Sequence, residues 1–561
     1  MFLITTPQEM KDRNWDVLDV ILISGDSYID SPFIGVAVIG KMLQKAGYRV
    51  GIIAQPDIDK PDDITRLGEP RLFWGVTGGC IDSMVANYTA TLKKRNSDDY
   101  TPGGINDRRP DRAVIVYSNL IRRYFKATRP IVLGGIEASL RRVTHYDYWT
   151  DKLRAPILFD SKANYLLYGM AEQSVVDLAN AFRDGTDVTA LKGLCYLSKS
   201  VPENYLVLPS FEACLADKKF FTTMFHQFYQ NTDPITAKGL AQQKGDRFLI
   251  HNPPYPFPTT QMMDEFNTVK YTRDQHPFYA QQGDVKALET IRFSVSTHRG
   301  CYGECNFCSI AVHEGRTVRW RSERSIISEI EQLTKHPEFK GYIQDMGGPT
   351  ANMYGIECQK KILKGCCEDK RCLYPEACPV LKIDHSKQIA LLRAVRKIKG
   401  IKKVFVASGI RYDMVLDDKK SGQEYLEEIV QHHVSGQLKV APEHTDPKIL
   451  NKMGKTGTAA LLEFKRKFDE ASEKAGKKQF LTYYFIAAYP GCSDREMQSL
   501  RQFTSQKLHI HPEQVQVFTP LPSTYASVMY YTEHDPFTGE SLFVEKNLSR
   551  KSRQKQIVTT K

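Results

Sequence analysis

The sequence predicts an α/β protein: an N-terminal doubly wound parallel sheet followed by a partial (β/α) barrel. Two observations carry this. Short β-branched apolar runs ending in glycine alternate with three- and four-residue apolar periodicity along most of the chain. The alternation stops in a proline-rich stretch before residue 286 and then restarts.

The first run is Val17–Ile23, closed by Ser24-Gly25-Asp26. Ile34, Val38, Ile39, Met42 and Leu43 then recur at helical steps, and Gly47 ends that helix. Tyr48–Ile53, Phe73–Gly79, Arg129–Gly135 and Tyr165–Gly169 read as further strands, with a helix near Ser174–Phe182. Glycines at strand exits line the carboxyl edge, where open α/β sheets take ligands. Ser97–Arg112 reads as a long surface loop, and Asn252–Pro258, with four prolines, as an extended connector. In the second half, strands are expected at Thr290–Ser296, Gly341–Asp345, Lys403–Ser408, Gln437–Ala441, Phe480–Ala487 and Gln514–Phe518. Helices are expected at Ser325–Leu333 and Gln388–Lys397. Six strands with intervening helices suit a partial barrel, whose chemistry sits on the loops after the strands. The expected organisation is an α/β domain over 1–204, a helical or irregular bridge over 205–285, a barrel over 286–535 and a basic tail over 536–561.

The chain has 561 residues, ordinary globular composition and a net charge of +12. Half of that excess lies from Lys546 onward, where six basic residues meet no acidic one. Such a tail is either a solvated terminus or a contact for RNA or another polyanion. No stretch approaches the roughly 18 apolar residues of a membrane span, and the N-terminus lacks a signal pattern. A cytoplasmic protein with no membrane partner is expected.

Eight of the 12 cysteines fall between Cys301 and Cys378. Clustering of this kind in a large chain points to metal rather than to a disulfide framework. Cys301, Cys305 and Cys308 occupy eight residues directly after an expected strand. Three soft thiolates on a compact loop suit an iron–sulfur cluster and leave one iron open. A structural zinc would want a fourth ligand at short range, and none follows. Cys358, Cys366, Cys367, Cys372 and Cys378 form a second group among prolines and lysines. An auxiliary metal site, iron–sulfur or zinc, is the favoured reading there, with a redox disulfide as the alternative. Cys80, Cys195, Cys214 and Cys492 are scattered and read as packing residues.

The Cys-x3-Cys-x-Phe-Cys spacing resembles the signature of radical S-adenosylmethionine (SAM) enzymes. That resemblance implies a [4Fe–4S] cluster on Cys301, Cys305 and Cys308, and SAM bound at the open iron. It implies cleavage of SAM to a 5′-deoxyadenosyl radical, with electrons from a donor such as a flavodoxin or ferredoxin. Asp345–Pro349 resembles the glycine-rich motif of the superfamily, which implies Gly347 and Gly348 as SAM-binding residues. Ser408 and Arg411 stand where the superfamily contacts ribose or carboxylate, and Glu443 and His444 follow the next strand. Ile486–Gly491 resembles a turn near the adenine. Gly78–Ser83, Tyr100–Gly104, Arg109–Val116, Val132–Arg142, His145–Trp149, Gly347–Gly355 and Pro520–Tyr531 resemble the YgiQ family (UPF0313) of radical SAM proteins.

The N-terminal part of that family is similar to cobalamin-binding domains. Asp30–Gly35 lacks the histidine of the Asp-x-His-x-x-Gly cobalt-ligating motif, so cobalamin is not expected; cobalamin bound without a protein ligand to cobalt is the alternative, beside a domain that recruits substrate or only packs on the barrel. RNA or protein modification is the first expectation for the substrate, partly because Thr519–Thr524 resembles a segment of sulfur-inserting methylthiotransferases. A non-enzymatic iron–sulfur redox sensor and a zinc-dependent nucleic-acid-binding protein are the alternatives.

Overall fold

The computed structural model describes residues 1–560, which divide into two compact units: Met1–Phe257 with Glu265–Arg292, and Pro258–Asp264 with Phe293–Lys561.

The first unit is built on a nine-stranded sheet. Its strands are β1 (Val20–Ser24), β2 (Val50–Ala54), β3 (Phe73–Thr77), β4 (Ile131–Leu133), β5 (Tyr165–Leu167), β6 (Leu194–Ser198), β7 (Leu206–Leu208), β8 (Leu240–Lys244) and β9 (Arg247–His251). The order is β2-β1-β3-β4-β5-β6-β9-β8-β7. The first five are parallel, in register such as Ser24 with both Ala54 and Thr77. Every residue of β1 and β2 is buried, as strands covered on both faces require. Helices Gly35–Lys45, Ala113–Tyr124 and Ser174–Asp184 fill intervals between strands and bury one face each.

The bridge expected over 205–285 is corrected here. Residues 206–251 supply three strands that extend the sheet, with β9 antiparallel to both β6 and β8. The missed signal is Gly245-Asp246, a two-residue hairpin loop whose Gly245 takes φ +59°.

The second unit contains β10 (Ser294–Ser296), β11 (Tyr342–Ile343), β12 (Asp345–Gly347), β13 (Lys403–Val404), β14 (Gln437–Glu443), β15 (Phe480–Ala487) and β16 (Val515–Val517). All their pairings are parallel: β10 with β12, β11 with β13, and β14 with β15 with β16. A parallel bridge from Ile410 to Val440 continues the series from β13 to β14. This is the expected partial barrel, with β11 and β12 forming one interrupted strand. Thr290–Ile291, expected as strand, closes a helical turn instead, with the Ile291 N–H on the Ala287 carbonyl at 3.1 Å.

The basic tail is also corrected. Leu548–Thr559 is a helix capped by Asn547, with Lys551, Gln554 and Val558 buried. Lys546 pairs with Glu533, Arg550 with Glu545 and Arg553 with Asp494, and the Lys551 ammonium donates to the Tyr530 hydroxyl at 2.6 Å. These charges have partners within the fold, so the segment is an ordered, docked helix and not a free tail. Among the described residues no helix is long and apolar enough to cross a membrane.

Candidate functional site

The site lies on the loop that leaves β10. Gly300 (φ +80°) starts it, and a Cβ there would stand 2.5 Å from the Thr317 carbonyl oxygen, so only glycine fits. The Cys301 N–H donates to the Gly315 carbonyl at 3.2 Å, and the Cys308 N–H to that of Cys305 at 3.0 Å. The Gly303 N–H points at the Cys301 sulfur at 3.3 Å. A Cβ on Gly303 would lie 3.3 Å from the Cys301 sulfur, 3.6 Å from that of Cys305 and 3.1 Å from a guanidinium nitrogen of Arg411. Two thiols and a cation therefore converge on one bare backbone position. Burial pushes the Cys301 and Cys308 thiols up, and neighbouring cysteines push them further.

Residues between the cysteines anchor the loop, and sequence spacing did not reveal them. Glu304 adopts φ +47° and accepts Lys361 at 2.9 Å and Arg316 at 2.8 Å. Asn306 donates its side-chain amide to the Lys452 carbonyl at 2.7 Å and its N–H to Met453 at 2.9 Å. Arg371 donates to the Glu304 carbonyl and to the Asn306 side-chain oxygen, at 3.0 and 2.6 Å. The Phe307 ring meets Tyr489 edge to face at 6.4 Å.

Of the residues implied for SAM, Gly348 faces His298: a Cβ there would lie 2.6 Å from the imidazole Nε2. Burial pushes His298 down to about 4, so the ring is neutral and bridges the Thr297 hydroxyl and the Thr350 carbonyl. The Thr350 hydroxyl lies 3.5 Å from the Cys301 sulfur. Gly347 backs onto Ala351. The Ser408 hydroxyl donates to Asp345, which also takes the N–H groups of Ala407 and Ser408 at 2.8 and 3.1 Å, so this hydroxyl is engaged within the fold. Arg411 is buried and clasped by Asp413, and its Nη1 points at the Cys305 sulfur at 3.7 Å.

Glu443 ends β14 in the left-handed region (φ +68°), where a side chain sits only under constraint. It is 6% exposed, and its Oε2 has no hydrogen-bond partner. Burial raises its carboxyl to about 7 against the pull of Lys455, whose nitrogen lies 4.0 Å away. The adjacent His444 takes the Asp446 N–H at 3.0 Å and faces the Cys492 sulfur at 3.6 Å, a packing arrangement.

The second cysteine group lies beside this loop. Cys358 and Cys372 share a core with Tyr302, Met353, Leu373 and Met414, and Cys301 and Cys378 pack against it. The Tyr302 hydroxyl receives the Cys358 N–H at 3.3 Å. Among the described residues no three His, Cys, Asp or Glu side chains stand as ligands around one metal ion. Cys195, Cys214 and Cys492 are buried packing residues.

In the first unit the order β2-β1-β3-β4-β5 has its switch point between β1 and β3. There the Arg109 guanidinium stands 2.7 Å from Asp26 and 2.9 Å from Asp98, and donates to the Gly78 carbonyl at 2.7 Å. A Cβ on Gly79 would meet Asp26 at 2.2 Å, and one on Gly78 would meet Glu137 at 2.2 Å. The protein's own charged side chains fill the crevice left by the glycines.

Residues 2–294 match the Radical SAM N-terminal family, and residues 295–504 match the Radical SAM superfamily. A UPF0313 protein of Fusobacterium nucleatum is 59% identical over all of this chain and 99% of its own length. The chain belongs to the UPF0313 family. Another member, from Methanocella arvoryzae, is 46% identical over 97% of this chain and 91% of its own. This UPF0313 protein is a radical SAM enzyme. A solved structure of the cobalamin-dependent S-adenosylmethionine radical enzyme OxsB with aqua-cobalamin bound superposes with a TM-score of 0.50 at 13% identity. The superposition covers 95% of this chain and 58% of that one. It shows a shared fold.

Proposed function

We propose that Cys301, Cys305 and Cys308 hold a [4Fe–4S] cluster and that the barrel cleaves SAM there. The observation that carries this is the convergence of the Cys301 and Cys305 sulfurs and the Arg411 guanidinium on the bare Cα of Gly303. When bound, the cluster supplies the electron that splits SAM into methionine and a 5′-deoxyadenosyl radical.

The chain's own groups have separate tasks in this reading. Arg411 places positive charge against the Cys305 sulfur and offsets the thiolate charge. Gly303 leaves room beside two sulfurs. Gly348 allows His298 to support the glycine-rich loop from below. Glu443 offers an unpartnered carboxyl oxygen for a hydroxyl or ammonium group of the cofactor.

The test is anaerobic reconstitution with iron and sulfide, reduction, and addition of SAM. 5′-Deoxyadenosine should form, and Cys301→Ala should abolish it with loss of iron. No product from the wild type, together with unchanged iron in Cys301→Ala, sinks the reading.

For the N-terminal unit we infer a role without cobalamin. At the switch point, where open sheets take ligands, Arg109 is already paired with the buried Asp26 and Asp98, and a ligand that displaced it would strand both carboxylates at a cost of several kcal/mol. Incubation with hydroxocobalamin followed by gel filtration should leave the protein colourless. Stoichiometric retention would overturn this.

A further inference from the structure

We propose that the bare face of the barrel sheet, with its basic amino edge, binds a single-stranded polynucleotide. Parallel sheets are as a rule covered on both faces. Here one face is open. Along β14 and β15, Leu438, Val440, Tyr483 and Phe485 are buried, while Gln437, Lys439, Phe480 and Tyr484 are exposed. Register sets Gln437 beside Phe480, and the Thr482 hydroxyl donates to the Gln437 side-chain oxygen at 3.2 Å, so these groups share the face. On β11 and β13 the exposed positions are Tyr342 and Lys403, which are again register partners. The exposed positions of all these strands include no carboxylate.

Rings and cations alternate on this surface. Tyr342, Phe480 and Tyr484 are 44%, 57% and 37% exposed, large values for aromatic side chains seated in strands. The Phe405 ring lies parallel to that of Tyr342 at 6.4 Å. Rings fixed by a sheet offer flat faces on which any base can stack. Arg396–Lys403 carries five basic residues in eight and no acidic one, and Lys477-Lys478 lead into β15. The Lys402 ammonium stands over the Tyr342 ring at 5.9 Å. Burial and the charge of Lys403 hold the Lys477 ammonium below its ordinary value, so like charges face each other here. Among the described residues Lys402, Lys403, Lys439, Lys477 and Lys478 pair with no carboxylate, whereas nearby Lys474 pairs with Glu427.

A single-stranded polynucleotide answers both features. Its phosphates neutralise unpaired lysines, and its unpaired bases cover exposed rings. An acidic protein would meet the charge and leave the rings without a matching partner. Parallel strands share their amino ends, so Lys340, Lys402 and Lys478, just ahead of β11, β13 and β15, stand on one edge of the sheet. The three-cysteine loop leaves the carboxyl end of β10, the edge where barrels carry their chemistry. The proposed surface is therefore separate from Cys301, Cys305 and Cys308, and either reading can fail alone.

The test is fluorescence anisotropy of the full chain with a labelled oligouridine of about twelve nucleotides. Binding should weaken from about 50 to 200 mM salt, with a log–log slope near 3 for about four phosphate contacts. Lys402→Ala, Lys403→Ala and Lys478→Ala combined should lower that slope by about 2. Tyr342→Ala with Phe480→Ala should weaken binding about tenfold or more and leave the slope unchanged. An abasic strand of the same length should bind the wild type as weakly as the oligouridine binds the ring variant. Lys546→Ala, Arg550→Ala and Arg553→Ala combined remove as much charge from the C-terminal helix and should change nothing. Circular dichroism melting establishes that each variant is folded, and the abasic comparison needs only the wild type. No binding at about 50 mM salt overturns the proposal. So does an abasic strand that binds as tightly as oligouridine, or a C-terminal variant that loses as much affinity as the lysine variant.

Discussion

The carboxylate of Glu304 accepts the ammonium of Lys361 at 2.9 Å, with both side chains closed to solvent. Glu304 lies between the first two cysteines of the three-cysteine loop, in a left-handed conformation that needs external support. Lys361 belongs to the cysteine-rich insertion, so the insertion holds the loop in shape. Lys361→Met removes one partner of a buried pair and should cost about 3 kcal/mol. Urea unfolding of the metal-free protein reads this directly. A change below about 0.5 kcal/mol, the size of a surface substitution, would show that the pair does not hold the loop.

Glu443 gives a pH signature. Its carboxyl is raised to about 7 from an ordinary 4.5, chiefly by burial. Between those values the folded state binds more protons than the unfolded state, so stability falls as pH rises. The penalty is absent below about pH 4 and complete above about pH 7. Glu443→Gln should therefore exceed the wild type by about 3 kcal/mol at pH 8, and the gap should close towards pH 4. A difference that does not vary with pH would mean that the carboxyl titrates normally.

Gly348→Ala forces a methyl group into the His298 ring. The expected loss is about 1–3 kcal/mol, typical of overpacking. His298→Ala in the same chain should recover part of it, because the second change removes the obstacle. Thermal melting of the two singles and the double forms the cycle. Strict additivity would rule out steric contact as the cause.

The C-terminal helix should behave as part of the core. Gln554 takes the Ala488 N–H at 2.9 Å and donates to the Cys492 carbonyl at 3.1 Å. Gln554→Ala leaves both buried groups unpaired and should cost about 1–3 kcal/mol. Calorimetry on the purified variant checks this. An unchanged melting point would restore the reading of residues 546–561 as a detachable tail.

By itself the sequence determined the order of the parallel strands β1 to β5 and β10 to β16 and the three-cysteine loop. These are local signals: an apolar period, a glycine at a strand exit, three thiols within eight residues. Phe480–Ala487 is a strand with the bounds read from its apolar pattern. The family too was legible, because its motifs are short and contiguous. Tertiary structure alone decided which charges find partners. Glu304 and Lys361 are separated by 57 residues, and Asp26 reaches across to Arg109 from another strand exit. Neither pairing leaves a periodic trace. The basic C-terminal segment shows the same limit, since its composition reads as solvated until Glu533, Glu545 and Asp494 are brought beside it. A run of residues sets backbone conformation through near neighbours, whereas the fate of a charge depends on what the packed core places within a few ångströms of it.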